Sequence, residues 1–352
     1  MAKAKGKIKL IYIVIAVLVV VGIVILAVRP AELLAPPQAG ALTEGGPEII
    51  RMGQGFSDKH GSYQAFLKFE EIVERETGGR IDVQTFHSGQ LGDDAAMIAG
   101  LQAGTQEVTF PSTGAVSRFI PGMFVFDLPF IMPPDFALID SILGGPIGED
   151  LLARLPEHGM VGLGFGENGF RFITNSKREI KSVADLSGLR LRTMENEIHL
   201  ALFRQLGAMP APLPFSEVFS ALQTGVFDGQ ENAASAIFLN RFHEVQGFLT
   251  DTGHVYAPLV MLMSKIYWDK STPAEQELFK RATREALAHQ RTVTRADNEK
   301  LLTDIEAAGV KVTRLTPEAR KAFVDATRQI HGQFRDRIGG ELLDKVLRQV
   351  GL

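Results

Sequence analysis

No cysteine occurs in the 352 residues, which excludes disulfides, thiolate metal sites, a cysteine nucleophile and lipid attachment through cysteine. Any exported form must be stabilised by its core alone. Charge of one sign is also lacking. Against 37 basic side chains stand 41 acidic ones, a net charge of −4, so the polyanion-binding character that nucleic acid demands is missing. Enzyme signatures are equally sparse. The eight histidines are scattered, and His243-Glu244 lacks the second histidine of a zinc-binding H-E-x-x-H helix. No G-x-S-x-G nucleophile elbow occurs, and Glu195, Glu197, Glu217, Asp228 and Glu231 have no spacing that singles out an acid/base pair. No metal, cofactor or catalytic set is therefore expected. What is present, 45% apolar and 22% charged residues, describes an ordinary globular surface on a chain long enough for two lobes of about 150 residues each.

The N-terminus reads as a targeting segment. Lys3, Lys5, Lys7 and Lys9 precede an uncharged run from Leu10 to Val28, followed by Arg29 and a Pro-, Ala- and Gly-rich stretch to Pro47. The run is longer than a cleaved leader's apolar region of about 7–15 residues and close to the roughly 20 that span a bilayer. Ala39-Gly40-Ala41 offers a small-x-small cleavage site but lies well downstream. A retained anchor is slightly favoured over a cleaved signal, and the excess of lysine before the run puts the globular part outside the cytoplasm.

After Pro47 strands and helices alternate. The pattern predicts a strand over 48–52, an amphipathic helix over 62–77 with Phe66, Phe69, Ile72 and Val73 on one face, and a strand over 80–86. A helix capped by Asp93 or Asp94 and running through Ala103 comes next, then a strand over 108–110. A second set comprises strands over 170–174 and 189–193 and a helix over 197–206, and residues 271–350 read as mostly helical, starting at Ser271 or Thr272 before Pro273. Short loops and regular alternation argue for an α/β fold with mainly parallel sheets that bind ligands beyond the carboxyl ends of their strands. Gly164 to Gly169 matches G-x-G-x-x-G, yet Phe170 to Thr174, immediately after it, alternates as a strand. The helix that would present its N-terminus to a pyrophosphate is absent, so a dinucleotide site is not expected.

The most informative stretch is 207–232. Pro210, Pro212 and Pro214 enforce an extended entry, a helix runs from Ser216 to Thr224, Gly225 stops it, and a short strand returns to end in Gln230-Glu231-Asn232. Nearby, Arg192 closes the strand 189–193 where an open sheet exposes its crevice, and a guanidinium fork there can hold a carboxylate by two parallel hydrogen bonds. Arg171 begins another strand after a glycine-rich turn. A surface arginine, or an ion pair between Arg192 and Glu195, is the bland alternative.

The segments Asn168-Gly169-Phe170-Arg171, Asp185 to Arg192, Leu206-Gly207-Ala208, Pro214 to Val218, Ala221 to Gly225 and Asp228 to Asn232 closely resemble the substrate-binding proteins of TRAP (tripartite ATP-independent periplasmic) transporters. Gly78-Gly79-Arg80, Ser88 to Gly92 and Leu128-Pro129-Phe130 extend the resemblance from about 48 to about 270, while Thr105-Gln106-Glu107-Val108 departs from it. The resemblance implies a two-lobed periplasmic-binding-protein fold that closes over an organic acid and docks on small and large membrane subunits. It implies a chain divided into a signal or anchor (1–29), linker (30–47), lobe I (48–168), lobe II (169–257), a return to lobe I (258–297) and C-terminal helices packing on lobe II (298–352). By the same resemblance Arg192 pairs with the ligand carboxylate, Asn232 donates an amide hydrogen bond to it, Phe215 packs against the ligand, and Arg171 reaches it directly or through water. Glu195 and Asn196, just past the clamp, are candidates for ligand hydroxyls, though Glu195 and Glu197 equally suit the start of the next helix. His60 or Ser57 would face the cleft from the first lobe. Two other readings stand beside it: a sensor-type binding protein serving a membrane receptor, and an anchored hydrolase using Glu231 and His254.

Overall fold

The computed structural model describes residues 46–352, and the targeting segment expected over 1–29 lies outside them. Two sheets organise the chain. The first, in the order β2-β1-β3-β10-β4, is built from Glu48–Gly53 (β1), Ile81–Phe86 (β2), Val108–Thr109 (β3), Met160–Phe170 (β4) and Tyr256–Ser264 (β10). The second, β11-β9-β5-β8-β6-β7, contains Phe172–Asn175 (β5), Arg190–Thr193 (β6), Met209–Pro212 (β7), Gly229–Asn232 (β8), Phe248–Asp251 (β9) and Lys311–Arg314 (β11). The βαβ units pair in parallel, β1 with β2 and β3, and β6 with β7 and β8. Antiparallel pairs appear where the chain passes between the sheets, β10 against β3 and β4, and β5 against β8 and β9.

Local chemistry accounts for these elements. Phe66, Phe69, Ile72 and Val73 recur at helical spacing, and all are buried on the inner face of helix Gly61–Thr77. Asp93 caps helix Asp94–Ala103 by accepting from Ala96 N–H, and Thr272 with Glu275 forms a capping box before Pro273. β7 carries two of the three prolines and is an edge strand, the one place in a sheet where a missing N–H is harmless.

Helix Pro273–Ala307 ties the halves together. Leu278, Phe279, Ala282 and Ala286 pack with Phe66, Phe69 and Ile72 under the first sheet, whereas Ile305 joins Val218, Phe227 and Leu249 under the second. The glycines of 164–169 serve this contact. They lie inside β4, and a Cβ at Gly169, whose φ is +117°, would stand 2.4 Å from Asn298 Nδ2. The G-x-G-x-x-G match is thus a packing seam. No helix among the described residues is long and apolar enough to cross a membrane.

Candidate ligand site

β6 and β8 run parallel with Arg192 opposite Gln230, so Arg192 and Asn232 emerge at the same, carboxyl, edge of the second sheet. Arg192 is only 3% exposed. Its Nε and Nη2 donate to the carbonyl oxygen of Leu213 at 2.9 and 2.6 Å. Among the described residues Nη1 has no hydrogen bond and no carboxylate stands within 4.0 Å, which leaves out the alternative ion pair with Glu195. Desolvation lowers the guanidinium to about 10, while Glu231, Asp94 and Glu195 favour its charge and Arg171 opposes it, so it stays cationic at neutral pH.

The proline-enforced entry carries Leu213 to this guanidinium and then turns through Phe215–Glu217 into helix Val218–Gln223. That places the Phe215 ring 6.0 Å from Arg192 Cζ, edge-on to Phe56 at 5.0 Å and tilted against Phe242 at 5.5 Å. Arg192, Leu213, Pro214, Phe215, Met194 and Glu195 from the second half face Asp93, Asp94, Ala95, Ala115 and Arg118 from the first across a cavity of about 500 Å³, counting the part open to solvent. Arg118 and Glu195 are exposed at its rim and Phe215 is half-buried.

The other expected residues are placed differently. Arg171 is buried in a fork-to-fork pair with Glu231, Nε to Oε2 at 2.5 Å and Nη2 to Oε1 at 2.9 Å. Glu231 also contacts His199 Nδ1 at 3.3 Å and His254 Nε2 at 3.1 Å, and His199 Nε2 reaches Asp127 Oδ1 at 3.2 Å. Burial disfavours the Glu231 charge, but Arg171 and the two histidines outweigh it and hold the carboxyl well below the usual range. Burial likewise opposes protonation of His199, yet Glu231 and Asp127 raise it. Glu231 and His254 therefore sit in a closed ionic cluster outside the cavity wall.

Asn232 uses Oδ1 to accept from Asn168 Nδ2, Arg171 Nη1 and Ala233 N–H, while its Nδ2 has no partner among the described residues. Asn196 is the N-cap of helix Glu197–Gln205: Oδ1 accepts from Ile198 and His199 N–H, and Nδ2 donates to Asp127 Oδ2 at 2.8 Å and to Gly114 O. His60 is also an N-cap, accepting from Ser62 N–H at Nδ1, stacked on Phe56 at 4.2 Å, with its imidazole pushed by burial down to about 4. Ser57 Oγ is buried without a hydrogen-bond partner. Arg171, Asn232, Asn196 and His60 are not in the cavity wall.

Sequence reasoning missed Asp94 as a wall residue and Arg118 altogether. Asp94 was legible only as a capping candidate, and Arg118 lies in no periodic pattern.

A two-sheet α/β scaffold with a buried cationic anchor in a crevice at the strands' carboxyl edge defines a class, the solute-binding protein. Residues 52–337 match the family described as bacterial extracellular solute-binding protein, family 7, and the chain belongs to that family, the organic-acid-binding proteins of TRAP transporters. A solute-binding protein of Verminephrobacter eiseniae is 41% identical over 278 residues, 79% of this chain and 82% of that one. The 2,3-diketo-L-gulonate-binding periplasmic protein YiaO of Escherichia coli is 34% identical over 289 residues, 82% of this chain and 86% of its own length. In three dimensions the chain is similar to the sugar acid binding protein DctPAm of Advenella mimigardefordensis, solved with galactonate. The TM-score is 0.85 and the identity 39%, covering 87% of this chain and 98% of that one. The family is one of extracellular solute-binding proteins.

Proposed function

We propose that this protein captures a hydroxylated monocarboxylate of the sugar-acid type and delivers it, unchanged, to the small and large membrane subunits of a TRAP transporter. One observation carries the reading: Arg192 is a buried guanidinium with two nitrogens fixed on Leu213 and, among the described residues, no carboxylate within 4.0 Å, lining a cavity beside an aromatic ring. A buried charge without a partner is costly, and a ligand carboxylate at Nη1 supplies what the protein withholds. The Asn232 amide nitrogen, which lies outside the cavity wall but at the same carboxyl edge of the sheet and has no partner among the described residues, is the proposed second donor. Glu195 and Asp94 give the same cavity acceptors for hydroxyl groups, consistent with the galactonate and diketogulonate named for its relatives.

In this reading residues 48–168 with 258–297 form one lobe and 169–257 the other, with 298–352 packed on the second, and the two close over the ligand. Binding without turnover is supported by the burial of Glu231 and His254 in their ion cluster. The N-terminal run either anchors the protein or is removed after export.

A thermal-shift screen of organic acids tests the proposal. An acid at 100 times its Kd should stabilise the fold by about 2.7 kcal/mol, and mass spectrometry should recover it intact. A chemically altered acid would favour a hydrolase instead.

A further inference from the structure

Asp94, the first residue of helix Asp94–Ala103, lies in the same cavity wall as Arg192. Its neighbour Asp93 is committed to the backbone, accepting from Ala96 N–H at 2.8 Å. Asp94 has no such commitment: its side chain is half-buried and has no hydrogen bond or ion pair among the described residues. A Cβ added to Gly55 would stand 3.7 Å from Phe215 Cδ1 and 3.8 Å from Asp94 Oδ1. The acid and the proposed ligand-stacking ring therefore share one corner beside residue 55.

The charges around that corner are unevenly placed. Arg118 and Arg192 are the cations of the wall, and Asp93, Asp94 and Glu195 the anions. Once a ligand carboxylate occupies Arg192, any second carboxylate must settle among the acids with only Arg118, exposed at the rim, to offset them. A hydroxyl in the same place meets an acceptor. We infer that Asp94 is a specificity-determining residue, accepting a hydrogen bond from a ligand hydroxyl and repelling a second ligand carboxylate, so that aldonates are taken and dicarboxylates refused. This rests on Arg192 holding the first carboxylate, as proposed above.

Desolvation, reinforced by Asp93, pushes the Asp94 carboxyl up to about 6, with Arg192 and Arg118 pulling the other way. The repulsion is therefore in force at neutral pH and fades below pH 6, where Asp94 takes up its proton.

Calorimetric titration of the full chain with galactonate, gluconate and succinate at pH 7.5 and pH 5 tests the inference, using wild type, Asp94→Asn and Asp94→Glu. The wild type should prefer an aldonate over succinate at pH 7.5 and discriminate less at pH 5. Asp94→Asn should bind succinate at least tenfold more tightly than wild type does and lose the pH dependence of the ratio, while Asp94→Glu should keep refusing succinate. An aldonate-to-succinate ratio unchanged within twofold in Asp94→Asn, with aldonate binding intact, overturns the role of Asp94 and leaves the carboxylate clamp standing. A wild type that binds none of these acids overturns both.

Discussion

Arg192 donates from both Nε and Nη2 to the carbonyl oxygen of Leu213, so the residue proposed to grip the ligand is itself gripped by the turn that carries Phe215. The bond fixes the guanidinium plane before any ligand arrives, and preorganised groups lose less entropy on binding. A lysine at this position has one charged nitrogen and no planar fork. Arg192→Lys should fold as wild type yet lose about 1.5–3 kcal/mol of ligand affinity, the worth of a charged hydrogen bond, roughly ten- to hundredfold in Kd by titration calorimetry. An affinity within threefold of wild type would show that the fork geometry is irrelevant.

Asn196 should behave as a structural residue. It caps helix Glu197–Gln205 and reaches Asp127 and Gly114 across the molecule. Removing a cap costs about 1 kcal/mol, and leaving Asp127 without its amide partner adds to that. Asn196→Ala should therefore lose about 1–3 kcal/mol in urea denaturation with ligand affinity little changed. Lost affinity at unchanged stability would restore Asn196 to the ligand shell.

Glu231→Gln probes the ion cluster. Arg171 and His199, both buried, would lose their shared anion, and breaking a buried pair from one side costs about 3–5 kcal/mol. The midpoint in guanidinium chloride should fall accordingly. A stability loss under 1 kcal/mol would mean that the cluster is not the tie between segments that its geometry implies.

His60 makes stability depend on pH. Its imidazole is lowered to about 4 by burial, against about 6.5 in an unfolded chain. Between these values the unfolded chain holds the proton and the folded one does not, so stability is complete above about 6.5 and declines as pH falls toward 4. The decline amounts to about 3 kcal/mol in total. Asn is among the strongest N-cap residues, so His60→Asn should keep the helix start while flattening the pH 4–6.5 slope in denaturation experiments. An unaltered slope would assign it to other groups.

Local chemistry was legible in the sequence, and pairings across the chain were not. Helical spacing located Phe66 to Val73, the proline series marked the extended entry that forms β7, and the rejection of a dinucleotide loop at 164–169 came from the strand expected over 170–174, most of which is β5. Arg192 was readable because a strand's end has a known direction. Asn196 and His60 were readable as neighbours of the crevice, but the capping bonds they make were not. Arg171 and Glu231 are 60 residues apart, and no local spacing encodes such a pair. Asp94 became a wall residue only when the first sheet brought its helix opposite Arg192.

Titration of the full chain with galactonate, set beside Arg192→Ala, bears most directly on the carboxylate clamp. One-site binding by wild type, lost in a variant whose circular dichroism shows an unchanged fold, is the expected outcome. Galactonate bound by Arg192→Ala as tightly as by wild type would remove the arginine clamp from the mechanism.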